Sequence, residues 1–121
     1  MFLSSASAET GLPGQVAYTA AKAGIVGMAR TLAAEWGPLG VRVNVVMPGV
    51  IGTPKVNALP EAMRRAIAAS LPLRRIGEPE EIARTVAFLA GPASTYVHGQ
   101  VLRVDGGFGL MSQSLATGGD G

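Results

Sequence analysis

Between about Tyr18 and Trp36, apolar side chains recur at Ala21, Ile25, Met28, Leu32 and Trp36, intervals of four, three, four and four. That spacing predicts a helix with one apolar stripe. Gly37-Pro38 stops it. Ala20, Ala23, Gly24, Gly27, Ala33 and Ala34 leave several of its sides small. Each interior Gly costs about 1 kcal/mol relative to Ala, so close approach of neighbours on more than one face is expected. Next, Val41, Val43, Val45 and Met47 alternate with Arg42 and Asn44 before Val46 fills the second face. This is the pattern of a strand running into full burial in a covered parallel sheet.

Pro48-Gly49 ends that strand, and Gly52, Pro54 and Asn57 predict a loop as far as Leu59. A short amphipathic helix is expected from about Pro60 to Ser70, with Met63, Ala66 and Ile67 on one side, followed by a turn-rich stretch from Leu71 to Gly77. Pro79 with Glu80 and Glu81 opens another helix, whose stripe is Ile82, Val86 and Leu89 and whose end is Gly91-Pro92. Glu80 can pair with Arg84 one turn along. Gln100 to Asp105 reads as a last strand, closed by Gly106-Gly107. With a strand remnant leading into Ser5, the elements alternate as in a layered α/β sheet of three strands with flanking helices. That order matches the second half of a doubly wound parallel sheet. The domain is expected over residues 1–110, with 111–121 as a flexible, polar tail. There is no internal repeat.

Composition sharpens the picture. A chain of 121 residues makes one domain at most, and 48% hydrophobic against 15% charged residues is a globular balance. The absence of Cys removes disulfides and thiolate chemistry and fits a reducing, cytoplasmic setting. The apolar start breaks at Ser4, and no run approaches the 18 or so residues that span a bilayer, so no membrane partner is expected. A pI near 9.5 invites a nucleic-acid reading. The net charge, however, is only +2, and basic residues fall in isolated pairs, Arg64-Arg65 and Arg74-Arg75. Nucleic acid is therefore not an expected partner.

The candidate chemistry is concentrated in Ser5, Tyr18 and Lys22. A Tyr and a Lys at i and i+4 share a helix face, so phenol and ammonium can reach one ligand. A neighbouring cation favours the ionised phenol, which suits a group that exchanges a proton with a ketone or alcohol. Ser5, at a strand end, can hydrogen-bond the same oxygen as charge develops on it. Alone, a Tyr four residues before a Lys is more often a solvated pair than a site.

The surrounding residues decide between these. Ser4-Ser5, Gly11-Leu12-Pro13-Gly14-Gln15, Tyr18, Ala20-Ala21-Lys22-Ala23-Gly24, Val41-Arg42-Val43-Asn44 and Pro48-Gly49 together resemble the short-chain dehydrogenase/reductase family. So do the segment from Arg75 to Ala83 and Val104-Asp105-Gly106-Gly107. Within that family the chain looks most like the 3-oxoacyl-acyl-carrier-protein reductases. The resemblance implies the second half of a Rossmann-like fold. It further implies that Ser5 polarises a substrate carbonyl, Tyr18 is the general acid and base, and Lys22 binds the nicotinamide ribose. Pro48, Gly49, Ile51 and Thr53 would then wall the nicotinamide, the Ile51 backbone and the Thr53 side chain meeting its carboxamide. The implied cofactor is NAD or NADP, the substrate a small-molecule or acyl-carrier carbonyl or alcohol, and the intact form a homo-oligomer.

The family's Gly-rich phosphate turn and its catalytic Asn have no counterpart in these residues, so the chain alone is expected to hold the cofactor poorly. The rival expectation is a non-catalytic remnant that docks on a full-length paralogue through the small-residue helix. His98 is expected to be a surface or packing residue and not a metal ligand. Trp36 and Tyr96 are expected to cap a core, and the resemblance implies that Asn44 and Asp105 tie loops to strands. Arg64-Arg65 fit a solvated helix face as well as an acidic carrier protein.

Overall fold

The computed structural model describes residues 1–110, and the tail expected from residue 111 lies outside the described residues. Three strands, β1 (Phe2–Leu3), β2 (Val45–Pro48) and β3 (Val101–Val104), form one sheet in the order β1-β2-β3. Both pairings are parallel, with Phe2 opposite Val45 and Val45 opposite Val101. The middle strand is the driest part of the molecule, since Val45, Val46 and Met47 are each at most 1% exposed. A continuous apolar run is what a strand flanked by strands and covered by helices requires.

The helices are α1 (Ser7–Thr10), α2 (Val16–Trp36), α3 (Pro54–Asn57), α4 (Glu61–Ser70) and α5 (Pro79–Ala90). α2 packs through Ala29 and Ala33 onto Val43 and Val45, with Phe2, Val26, Leu32 and Val101 around them. The expected stripe is therefore displaced by one residue, about 100° around the helix. Met28, Trp36 and Ala21 face outward, and the seam is made by small alanines that let helix and sheet approach closely. Gly24 and Gly27 have open space where a Cβ would stand, so no element among the described residues approaches them. α5 buries Leu89 and half-buries Ile82 and Val86, as its periodicity predicts.

Two short helices escaped the sequence pattern, because four residues carry too little periodicity to register. In α3, Pro54 sits at the first helical position and the Thr53 hydroxyl accepts the Val56 N–H at 3.3 Å, so two apparent loop residues are in fact a helix start. The strand expected from Val41 begins only at Val45. Val43 and Asn44 are buried, and although the Asn44 carbonyl accepts the Phe2 N–H of β1, their other partners toward β3 are side chains and loop backbone in place of a regular ladder. The Val43 N–H donates to His98 Nδ1 at 3.2 Å, which puts the ring proton on Nε2, 2.7 Å from the Ala33 carbonyl. His98 is thus a wedge joining α2 to the sheet. Asn44 donates to the Val97 carbonyl and accepts from the Gln100 N–H, as its expected tying role requires.

Arg42 closes the far end of α5 by donating to the Leu89, Gly91 and Val97 carbonyls. The Leu89 and Gly91 carbonyls are orphan acceptors that a helix end leaves behind, and the Val97 carbonyl belongs to the loop before β3. Tyr96 is fully exposed and caps no core, contrary to expectation. Among the described ion pairs the expected Glu80–Arg84 pair does not form; Glu81 pairs with Arg75. Among the described residues, no helix is long and apolar enough to cross a membrane.

Candidate active site

Parallel pairing places the carboxyl ends of all three strands along one edge of the sheet, where open α/β sheets form their ligand crevices. A groove of about 790 Å³ lies there. Ser5, Tyr18, Lys22, Pro48, Gly49, Ile51 and Thr53, drawn from three separate segments, all line it. The structure thus brings together every site residue that the sequence singled out. Leu12, Val56, Leu59, Ile82 and Phe108 add apolar wall, and the lining holds two lysines, Lys22 and Lys55, with no carboxylate among the described residues.

Ser5 follows β1 directly, and its hydroxyl lies 3.0 Å from that of Ser7 in the first turn of α1. Sequence reasoning missed Ser7, because the turn that brings it back onto Ser5 is too short to leave a pattern. On α2, the Lys22 ammonium stands 5.8 Å from the centre of the Tyr18 ring, within cation–π range. The same ammonium donates to the Leu3 carbonyl at 3.2 Å. Tyr18 is 44% exposed, so its phenol is open to a ligand in the groove.

The opposite wall is built after β2. Gly49 is required there for close approach: a Cβ on it would come within 2.6 Å of the Asp105 Cβ. Ile51 forms a parallel bridge with Gly77, through Gly77 N–H to Val50 O at 3.0 Å and Gly52 N–H to Gly77 O at 2.8 Å. Those bonds use the Val50 carbonyl and the Gly52 N–H and leave the Ile51 N–H without a partner among the described residues. An unpaired amide at a strand end is a fixed donor for a ligand oxygen.

A family model described as enoyl-(acyl carrier protein) reductase matches residues 1–109. The chain belongs to the short-chain dehydrogenase/reductase family. It is 48% identical over 97 residues to the 3-oxoacyl-[acyl-carrier-protein] reductase of Thermotoga maritima, covering 80% of this chain and 39% of that one. Over 105 residues it is 51% identical to the acetoacetyl-CoA reductase of a Synechocystis species, covering 86% and 44%. A solved 3-oxoacyl-[acyl-carrier protein] reductase from Brucella melitensis superimposes with a TM-score of 0.83 at 36% identity, over 87% of this chain and 40% of the other. A Brucella melitensis structure titled glucose/ribitol dehydrogenase gives 0.81 at 39% identity, over 87% and 42%. The chain therefore spans about two fifths of the length of the relatives it matches, and what it shares with them is a Rossmann-like fold.

In this short-chain dehydrogenase/reductase chain, the wall carrying Ile51 is held by a clamp outside the groove. Arg75 donates to both carboxylate oxygens of Glu81, at 2.9 and 2.5 Å, while Glu81 also accepts the Glu78 N–H at 2.8 Å and so caps α5. Gly77, the partner of Ile51, lies between these fixed points. The Arg75 hydrogen bonds, followed by the Glu78 amide, hold the Glu81 carboxyl at about 2 against an ordinary 4.5. A carboxyl lowered on folding stabilises fully above its ordinary value. The clamp should therefore be complete above about pH 4.5 and be lost as the pH falls through about 2. Glu81→Gln removes the ionised partner at every pH. Amide exchange at Gly52 and Gly77 should quicken in that variant at neutral pH, and the parent's acid-induced loosening of this segment should be absent from it. Equal exchange in parent and variant would show that the clamp does not hold the wall.

Proposed function

We propose that the chain forms the catalytic half of an oxidoreductase that interconverts a carbonyl and an alcohol with a nicotinamide cofactor. The convergence of Ser5, Tyr18 and Lys22 with the Pro48–Thr53 wall around one groove carries this reading. The residues present fit the nicotinamide end of such a cofactor. The unpaired Ile51 amide and the Thr53 segment supply polar groups beside an apolar wall, and Lys22 supplies a cation on the facing helix. When bound, the nicotinamide supplies or accepts the hydride. Lys22 Nζ would hold the ribose hydroxyls, and Ile51 and Thr53 the carboxamide.

The chain's own contribution is proton transfer and charge stabilisation. Tyr18 Oη gives a proton to the substrate oxygen in reduction and takes it back in oxidation, at the exposed end of a side chain whose ring faces the Lys22 ammonium. Ser5 Oγ donates a hydrogen bond to the same oxygen as charge builds there, and its contact with Ser7 steadies it. A groove with two lysines and no lining carboxylate among the described residues suits a negatively charged ligand, and its apolar side suits an acyl chain. Relatives named for 3-oxoacyl-[acyl-carrier-protein] and acetoacetyl-CoA support a 3-oxoacyl thioester as the substrate. NAD and NADP are equally consistent with these residues.

The test is a chimera in which the chain is joined to the cofactor-binding portion of the Thermotoga maritima relative. Tyr18→Phe keeps the ring and removes the proton, so kcat should fall about 100-fold or more. Lys22→Ala should lower both cofactor affinity and kcat, whereas Ser5→Ala should lower kcat with little effect on cofactor affinity. Near-parental turnover in Tyr18→Phe would refute the assignment.

The open face of α2 supports association, because interior glycines that nothing among the described residues approaches gain most from a second helix packed against them. We infer a homo-oligomer built on symmetric contact of α2 with its copy. Gly27→Arg in the chimera should shift sedimentation toward the smaller species, and an unchanged profile would contradict this. A non-catalytic assembly piece would use the same face, but its behaviour would be indifferent to Tyr18→Phe.

A further inference from the structure

We propose that Ser4, the residue before the candidate catalytic serine, is a positioning residue that fixes Lys22 and Tyr18 against Ser5, an inference that rests on the catalytic reading above. Ser4 is 4% exposed, a rare place for a hydroxyl. Its Oγ donates to the Lys22 backbone carbonyl at 2.7 Å, across 18 residues of chain. Lys22 returns the contact, its Nζ donating to the Leu3 carbonyl at 3.2 Å. One helical residue is thus fastened at its backbone and at its side-chain tip to two consecutive residues immediately before Ser5, Leu3 in β1 and Ser4 just after it.

That fastening answers a geometric need. The chain between Ser5 and Tyr18 includes the exposed segment from Gly11 to Gln15, where Gly11 and Gly14 have positive φ, so it cannot by itself set the height of α2 along the sheet. The fully buried residues of the α2 seam, Ala29 and Ala33, lie about three to four turns from Tyr18, and apolar contact is non-directional. A directional bond from a buried hydroxyl to a helix carbonyl does resist it. Ser4 therefore sets the level at which the Tyr18 phenol and the Lys22 ammonium meet the Ser5 hydroxyl, although its own hydroxyl is spent on backbone.

The chain contains two lysines, both lining the groove, and Lys55, exposed on α3 and remote in sequence from the Ser4 contact, serves as an internal reference. Competitive labelling of the chain with a small amine-reactive reagent, read as the Lys22 to Lys55 ratio, reports how firmly Lys22 is held. Ser4→Ala should raise that ratio about two- to tenfold, the factor that a net hydrogen-bond contribution supports. Leu89→Ala, which loosens the core at α5, should leave it unchanged. In the chimera, Ser4→Ala should lower kcat while the substrate KM stays at the parental value. An unchanged labelling ratio in Ser4→Ala, a rise of equal size in Leu89→Ala, or parental kcat would each overturn the proposal. The labelling arm does not depend on turnover, so it separates failure of the fastening from failure of the catalytic reading, which Tyr18→Phe alone reports.

Discussion

Parallel pairing of β2 with both of its neighbours is the constraint on which the rest of this chain depends. A strand bonded on both edges and dry on both faces has no freedom of register: a slip of one residue would exchange the two packed faces and break the ladders to β1 and β3 together. Once that register is set, the ends of the strands must fall at one edge, and with them Ser5, Pro48 and Asp105. The site is a consequence of strand direction before it is a matter of side chains.

The remaining links are polar and local. His98 bridges the α2 backbone and the entry to β2, Arg42 collects the carbonyls that end α5, and Ser4 with Lys22 joins β1 to α2. Each joins two elements whose apolar contact alone would allow sliding, and each satisfies backbone groups that burial would otherwise leave unpaired. The surface pair Glu61–Arg65 on α4 is a contrast, exposed and worth about 0.3–0.5 kcal/mol. Directional contacts that join separate elements give the groove its shape, whereas the Glu61–Arg65 pair ties α4 only to itself.

How much of this the residues announced depends on the range of the interaction. The long helix, the covered strand, α5 and the last strand were legible because their patterns extend over many residues. The groove residues were legible through a resemblance spread over the whole domain, and the fold brings all of them to one place. The seam of α2 was misplaced by one position because the sheet selects small residues for closeness, while a hydropathy stripe favours Met28 and Trp36 for size. The short helices α1 and α3, the truncation of β2 at Val45 and the role of Ser4 were not legible. Four-residue helices carry no period, and a hydroxyl bonded to a carbonyl 18 residues away leaves no local signal.

The central claim is that this chain's own residues form the nicotinamide-facing half of the site. Titration of the chain with nicotinamide riboside, followed by amide chemical shifts, tests it most directly, because that ligand carries the ring and the ribose without the phosphates. The account predicts shifts concentrated at Ile51, Gly52, Thr53 and Lys22, with Arg84 to Thr95 unmoved. Saturable shifts confined to residues outside the groove, or none at Ile51 and Thr53 at concentrations that perturb other parts of the chain, would contradict it.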